Sequence, residues 1–223
     1  MTKKSTRKPH PASSPSRDVA TEERILEAAR TVFIRRGTAG ARMREIAQEA
    51  GVNQALLHYY FRSKANLAEA VFQQAARRLF PPVIALLGSD ASLDEKVERV
   101  VEHELRVLLA NPFLPGYVLA ELNQDPDRAR QLVEAMMGTR VEGFAPQVFA
   151  KLAAQIAERV AAGTMRPITA DQFAMNLISL CVFPFAARPM FCALLQLDAD
   201  GFAGMIQRRK ETLVSFFLGA LRP

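Results

Sequence analysis

Cysteine is scarce in this chain of 223 residues: only Cys181 and Cys192, both in an apolar stretch without CxxC spacing or a neighbouring histidine cluster. That pattern excludes a disulfide framework and a structural zinc site and suits a reducing cytoplasm. Segments that alternate apolar and polar residues between turn residues are also missing, so strands are not expected. Long apolar runs are missing too. The stretch Phe173–Ala187 is uncharged, but it falls short of the roughly 20 residues a bilayer span needs and contains Pro184, so it reads as a deeply buried helix and no membrane partner is expected. The N-terminus is basic yet leads into Ser, Pro and His rather than an apolar segment, which does not fit a secretory signal. No phosphate-binding loop, nucleophile with a paired base or metal-ligand set is visible. Glu104, His103 or Glu121 as an isolated acid or base would make a poor catalyst, so the expectation is no enzyme, no cofactor and no metal.

What the chain does have is enough apolar residue, 49%, for one or two domains with a core, and a net charge of +6 that is unevenly placed. Residues 1–64 hold 13 Lys and Arg against 6 Asp and Glu, whereas residues 65–223 hold 16 against 17. A basic module that meets a polyanion is thus joined to a near-neutral module with another task. Within the basic half, residues 1–20 are rich in Ser, Pro, Lys and Arg and are expected to form a disordered arm. Such an arm either touches DNA phosphates or a minor groove, or serves only as a solubilising tail.

Beyond it, apolar residues recur every three or four positions, the pattern of successive helices. The first is expected over Glu22–Arg36, capped by Thr21 and stopped at Gly37, with Ile25, Ala28, Ala29, Val32 and Phe33 inside. Two short helices follow, Met43–Ala50 and Gln54–Tyr60, separated by Gly51. Ser63 caps another from Lys64 to Leu79, which Pro81 and Pro82 should end. Later candidates are Leu93–Ala110, Tyr117–Asn123, Pro126–Met137, Pro146–Ala162, Asp171–Phe183 and Phe202–Leu221.

Two short helices about a glycine turn make a helix-turn-helix, whose second helix presents side chains to the major groove while the flanks meet phosphates. Asn53, Gln54, His58, Tyr59 and Tyr60 lie on the second helix, and Arg42, Arg44, Arg62 and Lys64 flank it. Phe61 reads as core. The segment Arg24–Leu67, with its ILEAARTVF run, Gly37, REIAQEAGV and FRSKANL, resembles the N-terminal domain of the TetR family of bacterial transcriptional regulators.

That resemblance implies an all-α protein: a three-helix DNA-binding domain over residues 21–66 and a helical effector-binding and dimerisation domain over residues 67–223. It also implies DNA contacts from Arg42, Arg44, Asn53, Gln54, Ala55, His58, Tyr59, Tyr60 and Lys64. Arg44 suits a guanine edge and Gln54 an adenine or a phosphate. Arg42 adds charge where many members have Thr or Ser, and His58 stands where a phosphate-contacting Tyr is frequent. Thr38 replaces a commoner bulky residue after Gly37. The implied partners are a double-stranded palindromic operator, a small effector and a second copy of the chain. The implied action is that of a cytoplasmic repressor released by its effector, with an activator or a thiol-based redox sensor of the same fold as alternatives.

In the second module, Val97, Val100, Val101, Leu105 and Leu108 form one helical stripe with Glu104 in its middle. An unpaired buried carboxylate is costly, so Glu104 is expected either to face an effector cavity or to pair with an arginine such as Arg140. The resemblance places the cavity among residues such as Phe72, Leu108, Tyr117, Glu121, Met137, Phe144 and Phe149. Abundant Phe and Met point to a mainly hydrophobic effector. It likewise places the dimer interface on the last two long helices, with Phe173, Leu177, Cys181, Met205, Leu213, Phe216 and Phe217 as candidates.

Overall fold

The computed structural model describes residues 15–116, 119, 134 and 141–223. They divide into two compact units, Met1–Ala68 and Glu69–Pro223, and all regular structure among the described residues is helical.

The first unit is organised by α1 (Pro15–Gly40), α2 (Met43–Glu49) and α3 (Gln54–Phe61). Helix α1 begins well before Glu22. Residues 15–20, expected in the arm, are helical, and residues 1–14 lie outside the described residues. The early start has local causes: Pro15 sits in the first turn, where its missing N–H costs nothing, and Asp18 places negative charge at the positive end. Thr21 is therefore interior to the helix rather than its cap. At Gly37 the backbone leaves helical geometry (φ 69°, ψ 164°), a region closed to side-chain-bearing residues, and the chain turns toward α2. The apolar face of α1 is buried as expected, with Ile25, Ala29, Val32 and Phe33 essentially inaccessible.

Helix α4 (Lys64–Leu87) starts at a Ser63 cap, whose Oγ accepts from the Asn66 backbone N–H at 3.1 Å. It does not stop at Pro81. Both prolines lie inside it, and the helix continues to Leu87. Pro82 has no N–H to give the Arg78 carbonyl. His103, on α5 (Leu93–Ala110), supplies the donor instead, its Nε2 lying 3.0 Å from that oxygen. Arg106 donates to the other ring nitrogen at 3.1 Å, which leaves Nε2 as the donor. His103, expected at the surface, is thus half-buried and employed.

The second unit is built around α5, which packs against α7 (Ala170–Ala186) and α9 (Ala199–Ala220), while α6 (Val141–Ala161) and the short α8 (Arg188–Leu195) pack on α7. A capping box opens α5: the Ser92 Oγ accepts from the Glu95 N–H, and the Glu95 carboxylate accepts from the Ser92 N–H. Helix α8 has no counterpart among the sequence expectations, and the expected helices over 117–123 and 126–137 lie, apart from positions 119 and 134, outside the described residues. Among the described residues no single helix is long and apolar enough to cross a membrane; α7 and α8 together are, but are bent by 64°.

Replacing His103 by Ala should lower unfolding free energy by about 1 kcal/mol, measured by urea denaturation, because the Arg78 carbonyl loses the donor that stands in for the proline's missing N–H. A His103→Ala protein as stable as the parent would show that water satisfies that carbonyl equally well.

Candidate nucleic-acid interface

The turn between α2 and α3 is set by backbone hydrogen bonds. Val52 N–H donates to the Ala47 carbonyl at 3.0 Å and Gly51 N–H to the Gln48 carbonyl at 3.2 Å, with Gly51 at φ 63°. This is the Schellman arrangement, and it requires the positive φ that glycine adopts without strain. The chain then re-enters a helix at Asn53, whose side-chain oxygen accepts from Leu56 N–H at 2.7 Å. Asn53, expected to reach DNA, therefore has its acceptor committed to capping α3. Leu57 and Phe61 are buried, as Phe61 was expected to be, and with Ile46 and Ala47 of α2 they fasten the short helix to its scaffold.

The opposite face of α3 is open. Gln54, Ala55, His58, Tyr59 and Arg62 are exposed, Tyr59 by 78%. His58 donates from Nδ1 to the Arg62 carbonyl at 3.1 Å, leaving Nε2 to accept from the Gln54 amide at 3.4 Å. Arg62 ends the helix at φ 57°, an uncommon conformation for a residue with a side chain, held by its N–H bond to the His58 carbonyl. Arg42 and Arg44 are exposed at the start of α2, and Arg42 makes no side-chain cap, as its chemistry requires. Arg35 and Arg36 of α1, also exposed, pair with Glu49 and Glu45 of α2.

Two predicted contacts are engaged inside the unit. Lys64, expected as a phosphate seat, donates from Nζ to the carbonyls of Ala39 and Ala41 at 3.0 and 3.2 Å, which joins the start of α4 to the break after α1. Tyr60 is half-buried, and its hydroxyl donates to the Asp18 carboxylate at 3.1 Å, while its ring meets that of Tyr59 edge-on at 5.4 Å. Desolvation and then the Asp18 carboxylate push the Tyr60 hydroxyl above its ordinary value, so it stays a donor.

In the second unit, the expected effector residues separate. Phe72 and Leu108 are part of the continuous core, whereas Phe149 is partly exposed. Tyr117, Glu121, Met137 and Arg140 lie outside the described residues, as does the side chain of Phe144 on α6. Glu104 is 1% exposed, and among the described residues nothing donates to its Oε2. Burial raises its carboxyl to about 7. The same stripe holds a second ionisable residue, Lys96, fully buried, with Nζ donating to the Leu87 carbonyl at 2.7 Å and to Gln155 Oε1 at 2.6 Å. Desolvation lowers its pKa.

The interface candidates on the last helices need correction. Phe173, Leu177, Cys181, Leu213 and Phe217 are covered within the chain itself, with Phe173 and Phe217 edge-to-face at 5.2 Å, so they have no surface to offer a partner. Their helices are apolar on more than one side, and the side turned outward carries different residues: Met175, Phe183 and Phe216, the last 64% exposed, with Met205 half-buried. A groove of about 700 Å³ runs along this face between Phe183 of α7 and Phe216 of α9. Burial and then the nearby Glu104 carboxylate push the Cys181 thiol up, away from thiolate chemistry. Among the described residues no group of three His, Cys, Asp or Glu is placed to hold a metal ion.

The Glu104 carboxyl gives a pH test. Its proton is held more tightly in the folded chain, about 7 against 4.5, so the chain should lose stability as pH rises from about 4.5 through 7, by roughly 3 kcal/mol in all. Glu104→Gln should flatten this slope and exceed the parent in stability at pH 8 while matching it more closely near pH 4, as read from denaturation curves across pH. A parental slope that survives in Glu104→Gln would assign the dependence elsewhere.

Comparison with known proteins agrees with this architecture. Residues 25–71 match the family described as bacterial regulatory proteins, tetR family. An HTH-type transcriptional repressor of Mycobacterium tuberculosis is 34% identical over 112 residues, covering 50% of this chain and 56% of the relative. The chain thus matches about half the length of such curated relatives. Over nearly the whole chain the fold is shared with HlyIIR, a hemolysin II transcriptional regulator, at 21% identity and a TM-score of 0.55, covering 92% of this chain and 99% of that one. It is shared also with the TetR-family regulator PfmR of Thermus thermophilus, at 17% identity and a TM-score of 0.58, covering 86% and 97%. The helix-turn-helix thus matches the tetR family of bacterial regulatory proteins in sequence over residues 25–71, and the all-helical architecture is a fold shared with solved TetR-family regulators.

Proposed function

We propose that the protein is a DNA-binding transcriptional regulator that acts as a homodimeric repressor, released from a palindromic operator by a small, mainly hydrophobic effector. The observation that carries the DNA reading is the exposed face of α3, where Gln54, His58, Tyr59 and Arg62 stand on a helix whose other side is fastened to α2, with Arg42 and Arg44 beside it. Groups of this kind read base edges and neutralise phosphates. The repressor reading draws support from the printed role of the Mycobacterium tuberculosis relative.

For the dimer, the outward apolar residues Met175, Phe183 and Phe216 on α7 and α9 supply an isologous patch, and the twofold arrangement would set two recognition helices into successive major grooves about 34–36 Å apart. An effector that binds better to one head spacing would shift the population away from the DNA-binding form. Helix α4, which begins beside α3 and continues into the second unit, is the natural route for that coupling. A redox switch through Cys181 has less in its favour, given a thiol that is buried and held protonated.

Selection of bound fragments from the source genome should return a palindrome. Arg44→Ala should weaken binding to it by about tenfold or more, within the roughly 1–3 kcal/mol of a bidentate base contact, and affinity should fall steeply with added salt. Unchanged binding by Arg44→Ala together with salt-independent affinity would defeat the DNA assignment. Sedimentation of a Phe216→Glu variant should show a monomer where the parent is a dimer; a variant that remains dimeric would move the interface away from α7 and α9.

A further inference from the structure

Gln54 is the first residue of α3, and His58 stands one turn later on the same open face. The His58 ring is oriented from its far side. Its Nδ1 meets the Arg62 carbonyl at 3.1 Å and carries the ring proton there, so Nε2 is a bare acceptor that takes one N–H of the Gln54 amide at 3.4 Å. The Arg62 carbonyl is in turn aimed by an uncommon backbone. Ser63 N–H donates to the Phe61 carbonyl at 2.5 Å, and Arg62, between them, has φ 57° and ψ −45°. This is the γ-turn of the rare, strained hand. Strain of this kind persists only where the surroundings over-determine it. Here His58 brackets the strained residue, its own carbonyl accepting from Arg62 N–H at 2.9 Å while its ring donates to the Arg62 oxygen.

We propose that His58 is a positioning residue for base reading: its ring, set by the strained turn at Arg62, fixes the Gln54 amide so that α3 reads an adenine at one position of each half-site. The inference rests on the DNA-binding reading above and deepens it, since His58 then acts through Gln54 rather than as a phosphate contact. An amide that turns over freely offers a base either of its ends. With one N–H committed to His58, Gln54 keeps its second N–H and its Oε1 for the groove, a donor beside an acceptor. Of the four bases only adenine answers with an acceptor, N7, beside a donor, the N6 amine; guanine sets two acceptors there, and thymine and cytosine supply one half of the pair each. The place suits the role, because the N-terminal residues of a recognition helix are those that reach base edges.

The test is a double-mutant cycle on the full chain, with fluorescence anisotropy on the selected operator and on duplexes that carry each other base at each half-site position in turn. Gln54→Ala should lower the preference for adenine at one position by about tenfold, as the loss of a bidentate contact does. His58→Phe, which keeps a ring and loses both nitrogens, should lower that preference by about threefold or more at the same position and at no other. It should change nothing further in the Gln54→Ala background, and its salt slope should stay that of the parent. Arg62→Gly, which takes φ 57° without strain and keeps the carbonyl, should retain the adenine preference. A His58→Phe protein with every base preference intact and a shallower salt slope would make His58 a phosphate contact and overturn the proposal. A position read by Gln54 that prefers another base would overturn it as well, and loss of the preference in Arg62→Gly would overturn the backbone link. A parent that binds no fragment would remove the DNA reading itself, and the inference with it.

Discussion

An eight-residue helix has almost no stability of its own in water, because nucleation costs more than so few propagating bonds return. That constraint governs the first unit. Helix α3 exists because Leu57 and Phe61 are buried, because the Asn53 side chain answers an orphan N–H at its start, and because a Schellman turn at Gly51 delivers the chain to it at a fixed angle. Even its ends are tied: Arg62 is held in an unusual conformation by bonds to and from His58. With so much of the helix spent on being held, what remains for recognition is one narrow face, and the polar groups on it are pre-ordered by each other.

The same economy explains why several charged groups near that face bond within the unit. Lys64 grips two carbonyls at the break after α1, and Arg35 and Arg36 pair with α2. Exposed ion pairs of the latter kind add little stability each, but a half-buried ammonium bonded to two carbonyls fixes where α4 begins. The unit's positive charge thus serves assembly as well as attraction, and the modest net charge of its folded part understates how many cations it needs.

In the second unit the organising helix is α5, and its stripe mixes apolar residues with Lys96 and Glu104. Period and composition made that stripe legible: α5 was bounded correctly from Leu93 to Ala110, and Glu104 was placed inside it. Lys96 sits three positions after Leu93 and four before Val100, so the same period marks it as buried, although a lysine there invites the reading of a solvated edge. The helix-turn-helix was legible because its turn and core residues are local. His103, Lys64 and Tyr60 were not, because their partners Arg78, Ala39 and Asp18 are far away in sequence and are backbone oxygens or a carboxylate that could have pointed anywhere. Which side of the last helices turns outward was not legible for a related reason: apolar residues on a helix buried on several sides do not reveal which side faces the chain's own core.

The bond from His103 to the Arg78 carbonyl makes α4 and α5 share one hydrogen-bond ladder at the place where proline broke it. A helix that completes its own ladder can rotate or slide against a neighbour by repacking side chains alone. Here a slip of a single residue along the axis, ~1.5 Å, would stretch an inter-helix bond and uncover a carbonyl. From Arg78 onward, α4 is therefore tied to α5 through its main chain as well as through side chains, and a shift between the two helices there costs a hydrogen bond.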